Sequence, residues 1–268
     1  MQRRPFITLL LSLALATPLA QAQDTLRLST TTSTENSGLL KYLLPAFEAK
    51  TGMKVSVISV GTGKALELGK NGDVDVTLVH ARQLEDKFVA EGWGVDRRDV
   101  MYNDFIVVGP ASDPAGIKGG KDVIAAFRKI AASGNRFISR GDNSGTDVME
   151  KGYWQQAGTK PASASYVSAG LGMGEVLNMA AEMRAYTLTD RATYGAYKAR
   201  TGLAILVEGD KRMVNPYGII AVNPARHKGV NYKGAKQLIE WITSSEGQEK
   251  IAAFKPDGEQ LFFPSAGK

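Results

Sequence analysis

The sequence contains no cysteine, only two histidines and no cluster of carboxylates spaced like a divalent-metal site. Without cysteine, the chain can form no disulfide framework, thiol nucleophile, zinc–thiolate site or lipid-anchored cysteine. His80 and His227 lie far apart along the chain, which disfavours a histidine-rich metal site and a His-dependent catalytic triad. These absences leave few routes to metal-based or covalent catalysis.

The chain also lacks a large excess of charge of either sign. The chain has 33 Lys and Arg against 27 Asp and Glu, which gives a net charge of +6. The basic residues are scattered among acidic ones and form no stripe interleaved with aromatic residues, so nucleic-acid binding is disfavoured. A modest positive charge is compatible with an anionic ligand. The hydrophobic fraction of 43% is sufficient for a packed core.

Residues 1–22 have the pattern of a cleavable export signal. The basic pair Arg3-Arg4 precedes an almost wholly apolar run, Phe6–Ala16, and Ala20-Gln21-Ala22 fits a small-x-small cleavage site. The strongly apolar run favours Sec export over the twin-arginine route, and it is too short for a membrane span. We expect the exported chain to begin near Gln23 and to be free in the periplasm, without a lipid anchor.

Beyond the signal, strand-forming segments alternate with segments of helical periodicity. This alternation predicts an α/β fold with mostly parallel sheets flanked by helices. We predict two lobes with a ligand cleft between them: lobe 1 over residues 23–107 and 220–268, and lobe 2 over residues 108–219. The chain then crosses between the lobes near Val108-Gly109-Pro110 and near Asn215-Pro216-Tyr217-Gly218, as hinge closure around a ligand requires.

Six consecutive hydroxyl residues, Ser29–Thr34, lie between the first predicted strand and the first predicted helix. In open α/β sheets, ligands bind beyond the carboxyl ends of strands, where helix N-termini present free N–H groups. The hydroxyl run adds donors without adding charge, so it suits an anion with several oxygens. A well-capped polar loop is the alternative interpretation.

A second motif also follows a predicted strand and opens a helix. Arg140 supplies an always-charged fork suited to oxyanions. The hydroxyls of Ser144 and Thr146 and the amide of Gly145 add neutral donors at the helix start. Asp142 is placed to accept from Arg140 and to hold its orientation. A capped turn with a structural Arg–Asp pair is the alternative interpretation.

Glycine-containing segments give weaker signals. Val60–Lys64 differs from a P-loop because it lacks the first glycine and the hydroxyl residue after the lysine. Amides near Thr62 still suit an anion. Gly170–Gly174 does not match the dinucleotide fingerprint. Close packing is favoured slightly over a flexible helix entry that approaches the ligand. Asp190 is predicted to cap a helix, and Arg191 lies either in the cleft or on the surface.

Enzyme functions are disfavoured by the same residues. The segment Gly141–Gly145 has one residue too many for a nucleophile elbow. His80 follows an apolar strand, where a structural or supporting role is favoured over catalysis. A hydrolase of phosphate esters is the enzymatic alternative, and it would need a metal cluster or an activated nucleophile that the sequence does not offer.

The motifs together resemble those of the tungstate-binding proteins of Tup-type ABC transporters, over essentially the whole exported chain. The segments that carry the resemblance occur in the same order as in that family and are Thr30–Ser33, Val60–Leu66, Asp73–Val76, Val79-His80, Ser139–Thr146 and Thr189–Tyr194. An arginine followed by Ser-Gly-Thr also occurs in phosphate-binding relatives, so the combination is more specific than any single motif.

The resemblance implies a two-lobed periplasmic binding protein of type II that is not an enzyme and carries no cofactor. Its ligand would be tungstate, or molybdate, delivered to a membrane permease that a cytoplasmic ATPase powers. By the motif match, the side chains of Thr31, Thr32, Ser33, Arg140, Ser144 and Thr146 bind the anion. Thr62 and Gly145 are added as donors at helix starts. We expect a monomer.

Two alternatives remain open from the sequence. A binding protein for phosphate or another tetrahedral oxyanion is the first, because Asp142 can accept the proton that phosphate carries near neutral pH. If Asp142 is instead tied to Arg140, an unprotonated dianion is favoured. The second alternative is a sensor that presents its ligand to a receptor rather than to a permease.

Overall fold

The computed structural model describes residues 25–258 and 260–267. The predicted signal peptide, residues 1–22, lies outside the described residues. Within the described ranges, no helix combines the length and the apolar character needed to cross a membrane.

Strands and helices alternate along the described chain, as the periodicity predicts. The strands are β1 (Thr25–Thr31), β2 (Lys54–Val60), β3 (Val76–Val79), β4 (Gly94–Gly109), β5 (Phe137–Ser139), β6 (Tyr166–Ser168), β7 (Thr187–Asp190), β8 (Ala204–Val207), β9 (Val214–Val222) and β10 (Phe263–Pro264). The α-helices are α1 (Thr32–Asn36), α2 (Leu39–Thr51), α3 (Thr62–Asn71), α4 (Arg82–Ala90), α5 (Val123–Ser133), α6 (Gly145–Ala157), α7 (Met173–Glu182), α8 (Arg191–Thr201), α9 (Tyr232–Ile242) and α10 (Ser245–Ala253).

Lobe 1 is built on the sheet order β10-β4-β9-β3-β1-β2. Strand β1 pairs in parallel with β2 and with β3, whose four residues are all buried. Buried residues of α2 and α9, such as Phe47 and Trp241, pack with those of these strands in one apolar cluster. This packing directs the carboxyl ends of β1 and β3 towards lobe 2.

Lobe 2 has its own apolar core. The end of β4 pairs with β7 and β8, and β5 pairs in parallel with β6. Phe127, Phe137 and Trp154 contact one another, with ring centroids 4.2–5.5 Å apart. The core fixes the end of β5, from which the Arg140 motif extends.

Two sequence predictions need correction. The sheets are mixed rather than mostly parallel, because β4 and β9 run antiparallel to each other and to every other strand with which they pair. In this part of the sequence, the fully apolar run Phe105–Val108, closed by Gly109-Pro110, predicts a strand. The strand β4 in fact begins at Gly94. Both long strands, β4 and β9, carry the chain between the lobes. The lobe boundaries themselves stay a prediction.

Candidate functional site

The hydroxyl run joins the end of β1 to the short helix α1. Thr31 is the N-cap of α1, and its Oγ1 accepts from the backbone N–H of Thr34 at 3.2 Å. Thr31 Oγ1 also lies 2.7 Å from Thr34 Oγ1 and 3.3 Å from Ser33 Oγ. Thr31 and Ser33 are almost fully buried, so a dense cluster of hydroxyls occupies the carboxyl end of the sheet.

Arg140 is a buried cation whose donors are only partly used. Its side chain is 1% exposed, and Nη2 donates to Asp142 Oδ2 at 2.6 Å and to Thr32 Oγ1 at 3.5 Å. Nε and Nη1 are also buried, and neither has a hydrogen-bond partner among the described residues. Buried guanidinium donors without partners are costly, so this arrangement indicates a site for an anion.

The start of α6 brings further donors to the same place. Ser144 is the N-cap, and its Oγ accepts from the N–H of Asp147 at 3.2 Å. Thr146 Oγ1 is buried and has no hydrogen-bond partner in the described part of the chain. The N–H of Gly145 donates to Thr62 Oγ1 at 3.2 Å, which leaves the hydroxyl proton of Thr62 available. Helix N-termini also favour negative charge.

The backbone conformation of Gly141 sets the direction of the loop that follows Arg140. Its φ is +63°, a left-handed conformation, and a Cβ at this position would collide with Ser168 Oγ. The backbone carbonyl of Arg140 accepts from the N–H of Gly170 at 2.7 Å. These contacts hold the arginine backbone against the loop after β6 and direct its side chain towards lobe 1.

Several contacts join the two lobes around these donors. Besides Arg140 with Thr32 and Gly145 with Thr62, Thr193 Oγ1 of α8 lies 3.4 Å from the backbone carbonyl of Ser33. The predicted residues of lobe 1 and lobe 2 are therefore brought together in one closed site. An anion at this site would be surrounded by donors and shielded from water, which strengthens each hydrogen bond.

His80 belongs to the same cluster. Its Nε2 lies 3.0 Å from Thr31 Oγ1 and 3.3 Å from Ser33 Oγ, and its ring stacks on Tyr217 at 4.7 Å. Nδ1 lies 3.0 Å from Asn215 Oδ1. Burial lowers the pKa of His80 to about 4, so the imidazole is neutral at neutral pH. The supporting role predicted from the sequence agrees with these contacts.

The sequence favours close packing for Gly170–Gly174, with a helix entry at the ligand as the alternative, and the structure places this segment beside the hydroxyl run. A Cβ on Gly172 would lie 2.6 Å from Glu175 Oε2 and 3.6 Å from Thr32 Oγ1. Helix α7 therefore begins beside the hydroxyl run, and its N-cap, Gly172, makes no side-chain hydrogen bond to the helix. The glycine N-cap was the available signal, because a glycine lets another chain segment approach the start of a helix closely.

Asp190 and Arg191 take other positions. Asp190 is the buried N-cap of α8 and accepts from Thr193 N at 2.8 Å, as the sequence predicts. Arg191 pairs with Asp104 at 2.7 Å and with Glu208. Its charge is therefore engaged by these two carboxylates and not by the hydroxyl run. Within residues 25–258 and 260–267, no group of three or more His, Asp or Glu is placed to hold a metal ion.

A two-lobed α/β fold that closes on buried, unpartnered donors defines a solute-binding protein. A protein-family model described as a PBP superfamily domain matches residues 16–246, so the chain belongs to that superfamily. Solute-binding proteins of ABC transporters are not enzymes.

Relatives narrow the family further. The chain is 50% identical over 252 residues to the tungstate-binding protein TupA of Peptoclostridium acidaminophilum, covering 92% of this chain and 88% of that protein. It is 41% identical over 235 residues to TupA of Campylobacter jejuni, covering 86% and 87%. The crystal structure of the tungstate ABC transporter from Geobacter sulfurreducens has 56% identity and a TM-score of 0.81, covering 86% of this chain and 98% of that one. The chain belongs to the TupA family of tungstate-binding proteins.

Proposed function

We propose that this protein captures tungstate in the periplasm and delivers it to the permease of an ABC importer. The observation that carries the proposal is the pair of buried Arg140 donors, Nε and Nη1, without partners among the described residues. A tetrahedral oxyanion would accept hydrogen bonds from both donors and would place a negative charge beside the guanidinium. Family membership supports tungstate as that oxyanion.

The protonation chemistry of the site favours tungstate over phosphate. Tungstate is an unprotonated dianion at neutral pH and needs hydrogen-bond donors alone. Asp142, the nearest carboxylate to these donors in the motif, accepts from Arg140 Nη2 at 2.6 Å and from the N–H of Ser144 at 3.1 Å. A carboxylate engaged in this way supports the role of orienting Arg140, rather than accepting a proton from phosphate.

The predicted site residues divide into two groups in this proposal. Thr32, Ser33, Thr62, Arg140, Ser144 and Thr146 donate to the anion. Thr31 and Gly145 support the site, because Thr31 Oγ1 already contacts Thr34 and His80 and the Gly145 N–H already contacts Thr62. Lobe closure brings the two halves of the donor set together, which couples binding to the conformation that a permease recognises.

Molybdate is proposed as a second ligand, since it has nearly the same size and charge as tungstate. We further propose that the protein acts as a monomer without a cofactor, free in the periplasm after signal cleavage, alongside a permease and a cytoplasmic ATPase. Genes for a permease and an ATPase beside this one would favour import over a sensor role.

A thermal-shift titration with tungstate, molybdate, sulfate and phosphate tests the proposal. A ligand that binds only the folded protein adds about 2.7 kcal/mol of stability at 100 times its Kd. We expect a large upward shift of Tm with tungstate and little shift with phosphate or sulfate. A shift with phosphate alone would overturn the assignment, and no shift with any of the four would contradict an oxyanion site.

A further inference from the structure

A buried chain of hydrogen bonds connects the hydroxyl run to both strands that cross between the lobes. Asn215 of β9 donates through Nδ2 to Asn103 Oδ1 of β4 at 2.7 Å. Because its amide nitrogen is used there, Asn215 presents Oδ1 to His80 Nδ1, 3.0 Å away. A neutral imidazole carries one N–H, so Nδ1 holds the proton and Nε2 carries a lone pair.

That lone pair faces the proposed anion site. Nε2 lies 3.0 Å from Thr31 Oγ1 and 3.3 Å from Ser33 Oγ, so it accepts a hydrogen bond from one of these hydroxyls. A hydroxyl that donates its proton in a hydrogen bond to His80 does not donate it to an anion. If Nε2 gained a proton, it would donate to these hydroxyls instead, and the hydroxyl proton of Ser33 would be free to turn towards the ligand.

The side-chain charges of the site leave a dianion uncompensated. Arg140 brings one positive charge, and Asp142, 2.6 Å away, brings one negative charge. Helix N-termini contribute only partial charges. The other histidine, His227, contacts the backbone carbonyl of Lys70 at 2.8 Å and lies outside the site. His80 is therefore the side chain in the site that can gain a positive charge near neutral pH.

The other titratable groups around His80 do not offset the remaining charge of a dianion. Arg140 lowers and Asp142 raises the pKa of His80, while burial is the largest cause of its low value. Tyr217 stacks on the ring, and burial raises the pKa of its hydroxyl, which keeps it neutral. Asp190 is separated from His80 by Asn103 and Asn215. Nearby in sequence, Glu85 is paired with Arg97.

We propose that His80 is a further ligand-site residue, which takes up one proton at Nε2 when the dianion binds. This inference rests on the proposed function. The proton comes from the solvent, the imidazolium donates to Thr31 and Ser33, and the added positive charge offsets part of the ligand's charge. Asn215 is the positioning residue, because it keeps Nδ1 protonated and leaves Nε2 as the atom that accepts the proton.

The pH dependence of binding follows with a definite sign. A group that binds more protons in the complex than in the free protein makes the complex tighter as the pH falls. From pH 8 to pH 6.5, we expect the Kd for tungstate to fall by up to about thirtyfold, because each proton taken up changes the affinity by at most tenfold per pH unit.

Calorimetry measures the proton directly. Titration of the protein with tungstate at pH 6.5, in MES and in imidazole buffers of different ionisation enthalpy, should give an uptake of about half a proton or more. The variant His80→Gln should lose this uptake, and the matched control His227→Gln should retain it. Uptake that persists in a folded His80→Gln protein would overturn the inference, and so would the absence of uptake in the wild type.

Nuclear magnetic resonance of ¹⁵N-histidine-labelled wild-type protein keeps the test independent of the variants' folding. We expect His80 to show Nδ1–H and an unprotonated Nε2 without ligand, and both nitrogens protonated with tungstate. The His227→Gln protein assigns the two signals. An unchanged His80 signal at saturating tungstate would overturn the inference while leaving tungstate binding intact. Failure of the wild type to bind tungstate would instead overturn the proposed function.

Discussion

Gly145 and His80 approach so closely that no side chain fits between them. A Cβ on Gly145 would lie 2.5 Å from the backbone oxygen of His80 and 2.9 Å from its Nδ1. The two residues belong to different lobes, so the absence of a side chain lets α6 close against lobe 1. We predict that Gly145→Ala holds the lobes apart and weakens tungstate binding by at least about tenfold in calorimetry.

Gly152 provides a matched control within the same helix. A Cβ on Gly152 would meet no atom within 4 Å, so Gly152→Ala should bind tungstate as the wild type does. Small-angle scattering with tungstate should show a larger radius of gyration for Gly145→Ala than for Gly152→Ala. Equal affinities and equal radii for the two variants would show that this contact does not limit closure.

Thr146 and Thr77 share an unusual feature, since each has a buried hydroxyl without a partner in the described part of the chain. Replacing such a hydroxyl by a methyl of the same shape is neutral or stabilising for folding. We predict that Thr146→Val and Thr77→Val both keep or raise the Tm of the ligand-free protein. Only Thr146→Val should also weaken tungstate binding, by about tenfold or more, because it removes a donor to a charged ligand.

The contrast between these two variants is the critical result. Thr77 lies in β3, within the interior of lobe 1, and serves as the control. Wild-type affinity in Thr146→Val would mean that the Thr146 hydroxyl does not face the anion.

Arg140 should contribute more to affinity than any other single side chain. The variant Arg140→Met keeps the apolar stem but removes the charge and both unpartnered donors. Loss of one partner of a buried, charged hydrogen-bonded pair costs about 2–5 kcal/mol, so we expect at least about a thirtyfold rise in Kd. Isothermal calorimetry measures this change.

Arg128→Met separates direct contact from general electrostatics. Arg128 lies on α5 of lobe 2 and donates to the backbone carbonyl of Ala157 at 3.0 Å. Its replacement removes the same charge from the same lobe and should leave the affinity nearly unchanged. A similar loss in both variants would assign the effect to net charge rather than to a contact with the anion.

The folded protein should lose stability in mild acid through His80. Burial lowers the pKa of His80 to about 4, whereas the unfolded chain has the ordinary value near 6.5. The stability is fully present above pH 6.5 and falls as the pH drops towards 4, because only the unfolded chain then binds the proton. The slope in this window is about 1.4 kcal/mol per pH unit.

Urea unfolding of the ligand-free protein at pH 7 and pH 5 measures this effect. Buried carboxyls such as Glu85, Glu150 and Asp190 have raised pKa values and act in the opposite direction, so the comparison must be made against a variant. The wild type should lose about 2 kcal/mol more than His80→Gln over this range. Equal losses would show that His80 titrates normally in the folded protein.

Local patterns in the sequence predict most of the proposed donor set. The hydroxyl run and the Arg140 motif each lie at a strand end that opens a helix, and the structure brings Arg140 within 3.5 Å of Thr32. The two strands belong to different sheets, but each ends at the region between the lobes, where contacts such as Gly145 with Thr62 join the two motifs.

Features that depend on contacts between residues distant in sequence could not be predicted from local patterns. The first part of β4 carries Asp96, Arg97 and Arg98, which obscure a strand pattern, and its pairing with β9 depends on residues more than a hundred positions away. The orientation of the His80 ring was equally hidden, because its Nδ1 contacts Asn215 Oδ1, 135 residues further along the chain. Propensity and periodicity carry no information on such partners.

The most direct test of the account is a crystal structure of the tungstate complex, with diffraction recorded near a tungsten absorption edge. The account predicts one strong anomalous peak between the lobes. The oxygens around it should lie within hydrogen-bond distance of Arg140 Nε and Nη1 and of Thr146 Oγ1. A tungsten peak elsewhere, with these three atoms still without partners, would contradict the central claim.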